Sequence, residues 1–170
     1  MKPLIRNFFP GKDSLNTFDC GKPDLNNFLL ETGDDTPNAT KFEREHLSKT
    51  YIVEDQETNQ TLAYFSLACD KIERAVSDPA IWDRLSRKIP NAKRRSSYPA
   101  IKIGRLAVSK DAQGKGTFFG SSKVGCRYLT VDAYLDAEIF YSKCIFSPLV
   151  IPEPDDETVL MFFDLMSMKE

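Results

Sequence analysis

A chain of 170 residues, 41% apolar and 28% charged, is long enough for one well-cored domain and too short for two comfortable ones. That composition excludes a disordered or collagen-like chain, and a net charge of −2 gives no overall reason to expect a nucleic-acid partner. The opening "MKPLIRNFFPGKD" has no apolar signal core and no apolar run reaches membrane-spanning length, so a cytoplasmic protein without membrane contact is expected.

In chain order, residues 4–9 ("LIRNFF") predict a first strand. "GKPDLNNFLLE" predicts a helix with Pro23 in its first turn and Leu25, Phe28 and Leu29 at i, i+3, i+4 spacing. A more polar helix follows over 39–47. "TYIVED" and "TLAYFSLACD" flank "QETNQ" and form the clearest antiparallel hairpin. A helix near 79–87 leads into "RLSRKIPNAKRR", six basic residues and no acid between Arg84 and Arg95. A solvated loop is the plain reading of that run, and an acceptor-binding rim the sharper one. Strands at 100–108 and 126–133, a helix at 137–144 and a final strand at 158–166 complete the chain. Antiparallel strands before a parallel strand–loop–strand unit predict a single α/β (α+β) domain over 1–170, with a mixed central sheet and helices on both faces.

The four cysteines, Cys20, Cys69, Cys126 and Cys144, form no C-x-x-C pair, which argues against zinc, and no metal is expected. Their apolar neighbours predict small buried hydrophobes in a reducing compartment. The only histidine, His46, reads as a surface helix residue.

Between two of the predicted strands lies "QGKG", Gln113 to Gly116. Glycines let backbone N–H groups converge on an anion, and a following helix N-terminus adds its dipole. A P-loop needs Ser or Thr directly after Gly-Lys, but Gly116 follows Lys115. A dinucleotide fingerprint needs a third glycine where Phe119 stands, and the upstream hairpin is wrong for that fold. Asp132 and Asp136 lie at suitable distances for a ribose, so the dinucleotide reading is disfavoured but not closed. Coenzyme A pyrophosphate is the third ligand class held this way, and an ordinary glycine turn is the plain reading.

"IGRLAV" followed by "QGKG" resembles the fourth strand and Q/R-x-x-G-x-G/A loop of the GNAT N-acetyltransferase superfamily. "TFDCGKPDLNNFL" is similar to the F-x-C-G-x-x-x-L-x-x-F-L opening of the branch that includes toxins acetylating aminoacyl-tRNA. "LTVDA" and "AEIFYSKCIFSPL" are similar to the A-x-x-F-Y-x-x-x-G-F segment that closes the fold. The resemblance implies a GNAT-like fold that uses acetyl-CoA and no metal. It implies that the backbone of Leu106 and Val108 holds the pantetheine arm, and that amides around Gln113, Gly114, Lys115 and Gly116 take the pyrophosphate. Tyr141 matches the tyrosine that protonates the departing thiolate. By spacing alone Tyr141 is core, because Ala137, Phe140, Tyr141 and Cys144 form an i, i+3, i+4, i+7 stripe. Asp70 and Asp132 end strands and could polarise an amine through water, but strand-end carboxylates are common caps, and no base is assigned.

The chain departs from the family pattern at three places. Phe118 stands at the last glycine of the loop motif, and Ile145 at the glycine of the closing G-F. Only residues 117–125 remain for the helix after the loop, and nine helical residues rise about 14 Å against strands of ~17–20 Å. A shortened helix is therefore expected. The leading function is an acetyl-CoA-dependent N-acetyltransferase acting on a primary amine. The alternatives are a degenerate GNAT fold serving as a binding or partner-interaction protein, and a toxin acetylating aminoacyl-tRNA. Overall acidity disfavours a nucleic-acid partner; a homodimer is compatible with the sequence.

Overall fold

The structure, a computed structural model, describes residues 2–13, 15, 17–87, 89–91, 94–114 and 126–169, with backbone only at 168 and 169. In order the elements are β1 (Pro3–Asn7), α1 (Pro23–Leu30), α2 (Ala39–Arg44), β2 (Lys49–Asp55), β3 (Thr61–Glu73) and α3 (Pro79–Ser86). Then come β4 (Ser97–Val108), β5 (Tyr128–Tyr134), α4 (Glu138–Lys143), β6 (Ser147–Pro148) and β7 (Thr158–Asp164). The strands form one mixed seven-stranded sheet in the order β1-β2-β3-β4-β5-β7-β6. Packing divides the chain into two compact units, Met1–Ala68 with Ile103–Ser121 and Cys69–Lys102 with Ser122–Glu170, and β3 and β4 contribute residues to both.

In the first unit, β1 and β2 pair antiparallel with Ile5 opposite Val53, and β2 and β3 with Ile52 opposite Tyr64. The hairpin turn is tied by Asp55, which accepts from the Lys2 and Glu57 amides and the Thr58 hydroxyl, and it closes through Asn59 at φ +57°. Asparagine tolerates that left-handed conformation better than most residues. Alternation gives the sheet two apolar faces. Ile52, Tyr64 and Ala107 face Phe28 and Leu29 of α1 and Ala39 of α2, and Tyr51, Val53, Ala63 and Phe65 gather on the other side with Leu106, Val108 and Ala112. Pro23 starts α1, and the fully buried Asn38 caps α2 by accepting from the Lys41 amide at 2.8 Å.

In the second unit, Asp78 caps α3 by accepting from the Ala80 and Ile81 amides at 2.9 and 3.1 Å. That helix turns Trp82 and Leu85 inward, where Trp82 stacks on Tyr98 with ring centroids 5.0 Å apart. β5 and β7 pair antiparallel from Tyr128↔Asp164 to Tyr134↔Thr158. Tyr128 and Phe162 pack with α3, whereas Phe163, the next residue along β7, meets Phe146 after α4. Helices thus cover both faces of this unit's strands.

The expected strands and helices outside 117–125 are all present, most with ends shifted by one to three residues, and two differences have a physical reason. β4 begins at Ser97 rather than at residue 100, because Tyr98 has a buried slot beside Trp82. β6 was not expected; two residues pairing with Phe162 and Met161 carry no periodicity. The cysteine expectation holds for Cys20 alone: Cys126 is half-buried, and Cys69 and Cys144 are exposed. The expected shortened helix at 117–125 lies outside the described residues.

Candidate functional site

Leu106 and Val108 end β4 with their side chains packed against Val53, Leu62, Ala63 and Phe65. Both side chains are half-buried against that cluster. The chain leaves the sheet when the Ser109 amide donates to Leu62 O at 2.8 Å. A single 3-10 turn, Lys110–Ala112, follows, and the amides of Ala112 and Gln113 both donate back to Ser109 O, at 2.9 and 3.1 Å. The Gln113 amide is therefore engaged within the turn. Gly114 comes next at φ +77°, a conformation that favours glycine, and its amide makes no hydrogen bond among the described residues. Lys115 and Gly116 lie outside the described residues.

The same turn is tied to the segment before α1. Lys110 N–H donates to Asp19 O at 2.9 Å, and Lys110 Nζ donates to Asp19 Oδ2 at 2.5 Å. Asp19 Oδ1 accepts from the Gly21 amide and from Asn26 Nδ2, at 2.8 and 2.9 Å. Asn26 Oδ1 in turn accepts from the amide and the thiol of Cys20. Gln113 Nε2 donates to Cys20 O and to Val108 O, each at 3.1 Å. The Lys110 ammonium, with Asn26 and the Gly21 amide, holds the Asp19 carboxyl down at about 2. The sequence singled out Gln113 but missed Asp19 and Asn26. Both stand in "TFDCGKPDLNNFL", whose likeness to a known opening was the only signal available.

In the second unit, α4 ends at Lys143 and the chain turns through Ile145 at φ +68°. The Ile145 amide donates to Ser142 O and the Phe146 amide to Tyr141 O, each at 3.0 Å, which is the Schellman pattern. Phe146 accordingly packs edge-on against the Tyr141 ring at 5.5 Å, with Phe140 on Tyr141 at 5.2 Å. The Tyr141 ring is buried, and its hydroxyl makes no hydrogen bond among the described residues. Burial pushes it up to about 12, so it keeps its proton at neutral pH.

The carboxylates lie elsewhere in that unit. Asp70 accepts from the Thr130 hydroxyl, and Asp132 pairs with Lys102. Thr130 sits opposite Phe162 and Asp132 opposite Leu160, so both share the Tyr128 face, while Tyr141 packs through Phe146 toward Phe163 on the other. His46 is exposed and occupies the left-handed position after α2, at φ +56°. Of the basic run, Arg84, Arg87, Arg94 and Arg95 are exposed and form no ion pair among the described residues; Lys88 and Lys93 lie outside them. No group of three or more His, Cys, Asp or Glu that could hold a metal occurs among the described residues. Nor is any described helix long and apolar enough to cross a membrane.

No family model matches the chain. Solved structures match over nearly its whole length. AtaT complexed with acetyl-methionyl-tRNAfMet is 27% identical, covers 99% of this chain and 98% of its own, and superposes with a TM-score of 0.71. AtaTR bound with AcCoA is 26% identical, with 99% and 96% coverage and a TM-score of 0.68. A tyrosine-to-phenylalanine mutant of KacT is 23% identical, with 99% and 98% coverage and a TM-score of 0.72; at that identity it speaks for the fold alone. The fold is GNAT-like. In that fold the described ends of β4 and α4 are the two segments the sequence marks for chemistry.

Proposed function

We propose that the chain is an acetyl-CoA-dependent N-acetyltransferase acting on a primary amine. The observation that carries this is the β4 exit: a strand end with Leu106 and Val108 half-buried against the apolar cluster, then a tight turn, then Gly114 at positive φ with an amide that bonds to none of the described residues. Likeness to AtaTR bound with AcCoA supports acetyl-CoA as the ligand. The main chain of Leu106 and Val108 would take the pantetheine arm, and the amides of Gly114, Lys115 and Gly116 the pyrophosphate. Gln113 contributes its carboxamide to the turn rather than its amide to the ligand. In the reaction the amine nitrogen attacks the thioester carbonyl, a C–N bond forms, the C–S bond breaks, and the amine proton is released to solvent. Tyr141 would serve the departing thiolate as a neutral hydroxyl donor. With its pKa pushed up to about 12, against ~8.5 for a thiol, its main contribution is a hydrogen bond that strengthens as charge builds on sulfur.

The acceptor best supported is the amino group of an aminoacyl-tRNA. AtaT is complexed with acetyl-methionyl-tRNAfMet, and this chain carries exposed Arg84, Arg87, Arg94 and Arg95 with no ion pair among the described residues, which suits contact with a phosphate backbone. Isothermal titration with acetyl-CoA tests the first claim. Saturable heat is expected, and its absence would favour the degenerate binding protein instead. Titration with tRNA at increasing salt tests the second. The slope of log K against log salt should flatten on replacing the four arginines together, and no binding at low salt would remove RNA as the acceptor.

A further inference from the structure

We infer that Asp19, Lys110 and the Gln113 carboxamide are positioning residues for the acetyl-CoA pyrophosphate: they strap the β4 exit turn to the segment before α1. The inference rests on the acetyltransferase reading. Backbone amides hold an anion only if the turn that carries them is fixed before the ligand arrives, and a one-turn 3-10 segment has little stability of its own. Here the fixing is explicit. Lys110 is held by backbone and side chain to one residue, Asp19, while Gln113 bridges the carbonyls at both ends of the turn's surroundings, Cys20 O and Val108 O. Asp19 is itself immobilised by Gly21 and Asn26, so the strap has a rigid anchor. Gly21 permits the close approach. It stands at φ +87°, and a β-carbon there would lie 3.1 Å from Lys110 Cε.

The geometry also assigns direction to side chains that other readings would aim at the ligand. Lys110 has its ammonium on Asp19, and Gln113 has its carboxamide N–H groups on two protein carbonyls. Neither is offered to a phosphate. Freeing Lys110 should therefore loosen the site, whereas a lysine bound to pyrophosphate would bind better once its internal carboxylate was removed. A glutamine bound to pyrophosphate would be improved by a cation in its place; a strap would be cut by it.

The test uses the full chain, with calorimetric affinity for acetyl-CoA and for S-acetylpantetheine, the same thioester without the pyrophosphate and the adenosine 3′-phosphate, and amide hydrogen exchange over 109–114. Asp19→Ala and Gln113→Ala should each weaken acetyl-CoA by about tenfold, the equivalent of one lost hydrogen-bonded link. Both should speed loop exchange and narrow the preference for acetyl-CoA over the pantetheine thioester. Lys110→Ala should do the same and Lys110→Arg should restore it. Gln113→Arg should weaken binding. Tighter binding by Asp19→Ala or Gln113→Arg would overturn the inference, as would variants equal to the wild type. A wild type that binds no acetyl-CoA would instead overturn the acetyltransferase reading, and the positioning role with it.

Discussion

Around Gln113 the chain is held by polar bonds: two amides return to Ser109 O, the carboxamide spans Cys20 and Val108, and Lys110 closes on Asp19. Around Tyr141 it is held by rings, with Phe140 and Phe146 against the phenol and a hydroxyl that has no partner among the described residues. The difference follows from which atoms each segment would present. A turn that offers backbone amides must have its side chains pulled away from the ligand, and hydrogen bonds do this directionally. A residue that offers a hydroxyl needs the opposite, a ring fixed by shape and an oxygen left uncommitted. Polar satisfaction at the first segment and its absence at the second are therefore two solutions to preorganisation.

The most severe way to break that contrast is Tyr141→Phe. The ring contacts survive and no hydrogen bond among the described residues is lost, so melting temperature and acetyl-CoA affinity should stay near wild type. Turnover should fall by about 100-fold or more, the usual scale for an acid–base or hydrogen-bonding group at the reacting atom. Turnover equal to wild type in a steady-state assay would make Tyr141 a packing residue only.

Gly21→Ala attacks the polar segment through its backbone. Alanine at φ +87° carries the left-handed penalty, about 1–2 kcal/mol, and its methyl meets the Lys110 stem. A fall in stability of that size is expected in thermal or urea unfolding. Gly114→Ala carries the same conformational penalty, but nothing lies within 4 Å of the added β-carbon. A larger loss at Gly114 than at Gly21 would show that the contact with Lys110 is not what makes glycine necessary there.

How much of this was legible beforehand depended on range and periodicity. The hairpin of β2 and β3 and the two faces of α1 were readable because alternation and helical spacing are local. The mixed sheet and GNAT-like fold were readable from motifs in order. The strap was not. Asp19 and Gln113 are far apart in sequence, both are polar, and nothing in either neighbourhood names the other. Cys69 and Cys144 were misjudged for a related reason: apolar neighbours along the chain do not say which face a side chain takes. Ile145 was legible as an anomaly, an isoleucine where the resembling family has glycine, and the backbone supplies the reason for that glycine.

Ile145→Gly sharpens the aromatic segment by a smaller amount. A β-branched residue in the left-handed position after a helix is strained, and the Ile145 side chain is 70% exposed, so little packing is lost on removing it. A gain of about 1 kcal/mol in unfolding free energy is expected. His46 occupies the equivalent position after α2, with its own amide donating to Glu43 O and the Leu47 amide to Phe42 O. Because histidine tolerates positive φ better than isoleucine, His46→Gly should gain less. Equal gains at both positions would mean that the isoleucine side chain adds no strain beyond that of histidine in the left-handed conformation.

The smallest expected effect is none at all, and it comes from pH. The Asp19 carboxyl is held down at about 2, so its charge, and the part of the strap that needs it, is intact above the usual carboxylate range and is lost only as pH falls toward 2. Burial pushes the Tyr141 phenol up to about 12, so its proton is intact below the ordinary tyrosine value of ~10. That contribution to stability fades only as pH rises from there toward 12. Between roughly pH 7 and 9 neither group changes state, and the phosphomonoester of acetyl-CoA, with its second pKa at ~6, is already doubly charged, so acetyl-CoA affinity should be flat. Any limb in kcat/KM within that window then belongs to the acceptor, which must lose a proton to become a nucleophile. An α-amino group gives a limb near 8, and a lysine side chain gives one still rising past 10. A limb near 8 with flat cofactor affinity supports the aminoacyl-tRNA acceptor; cofactor affinity that titrates across the same window would show that one of the two segments is held differently from the way its contacts indicate.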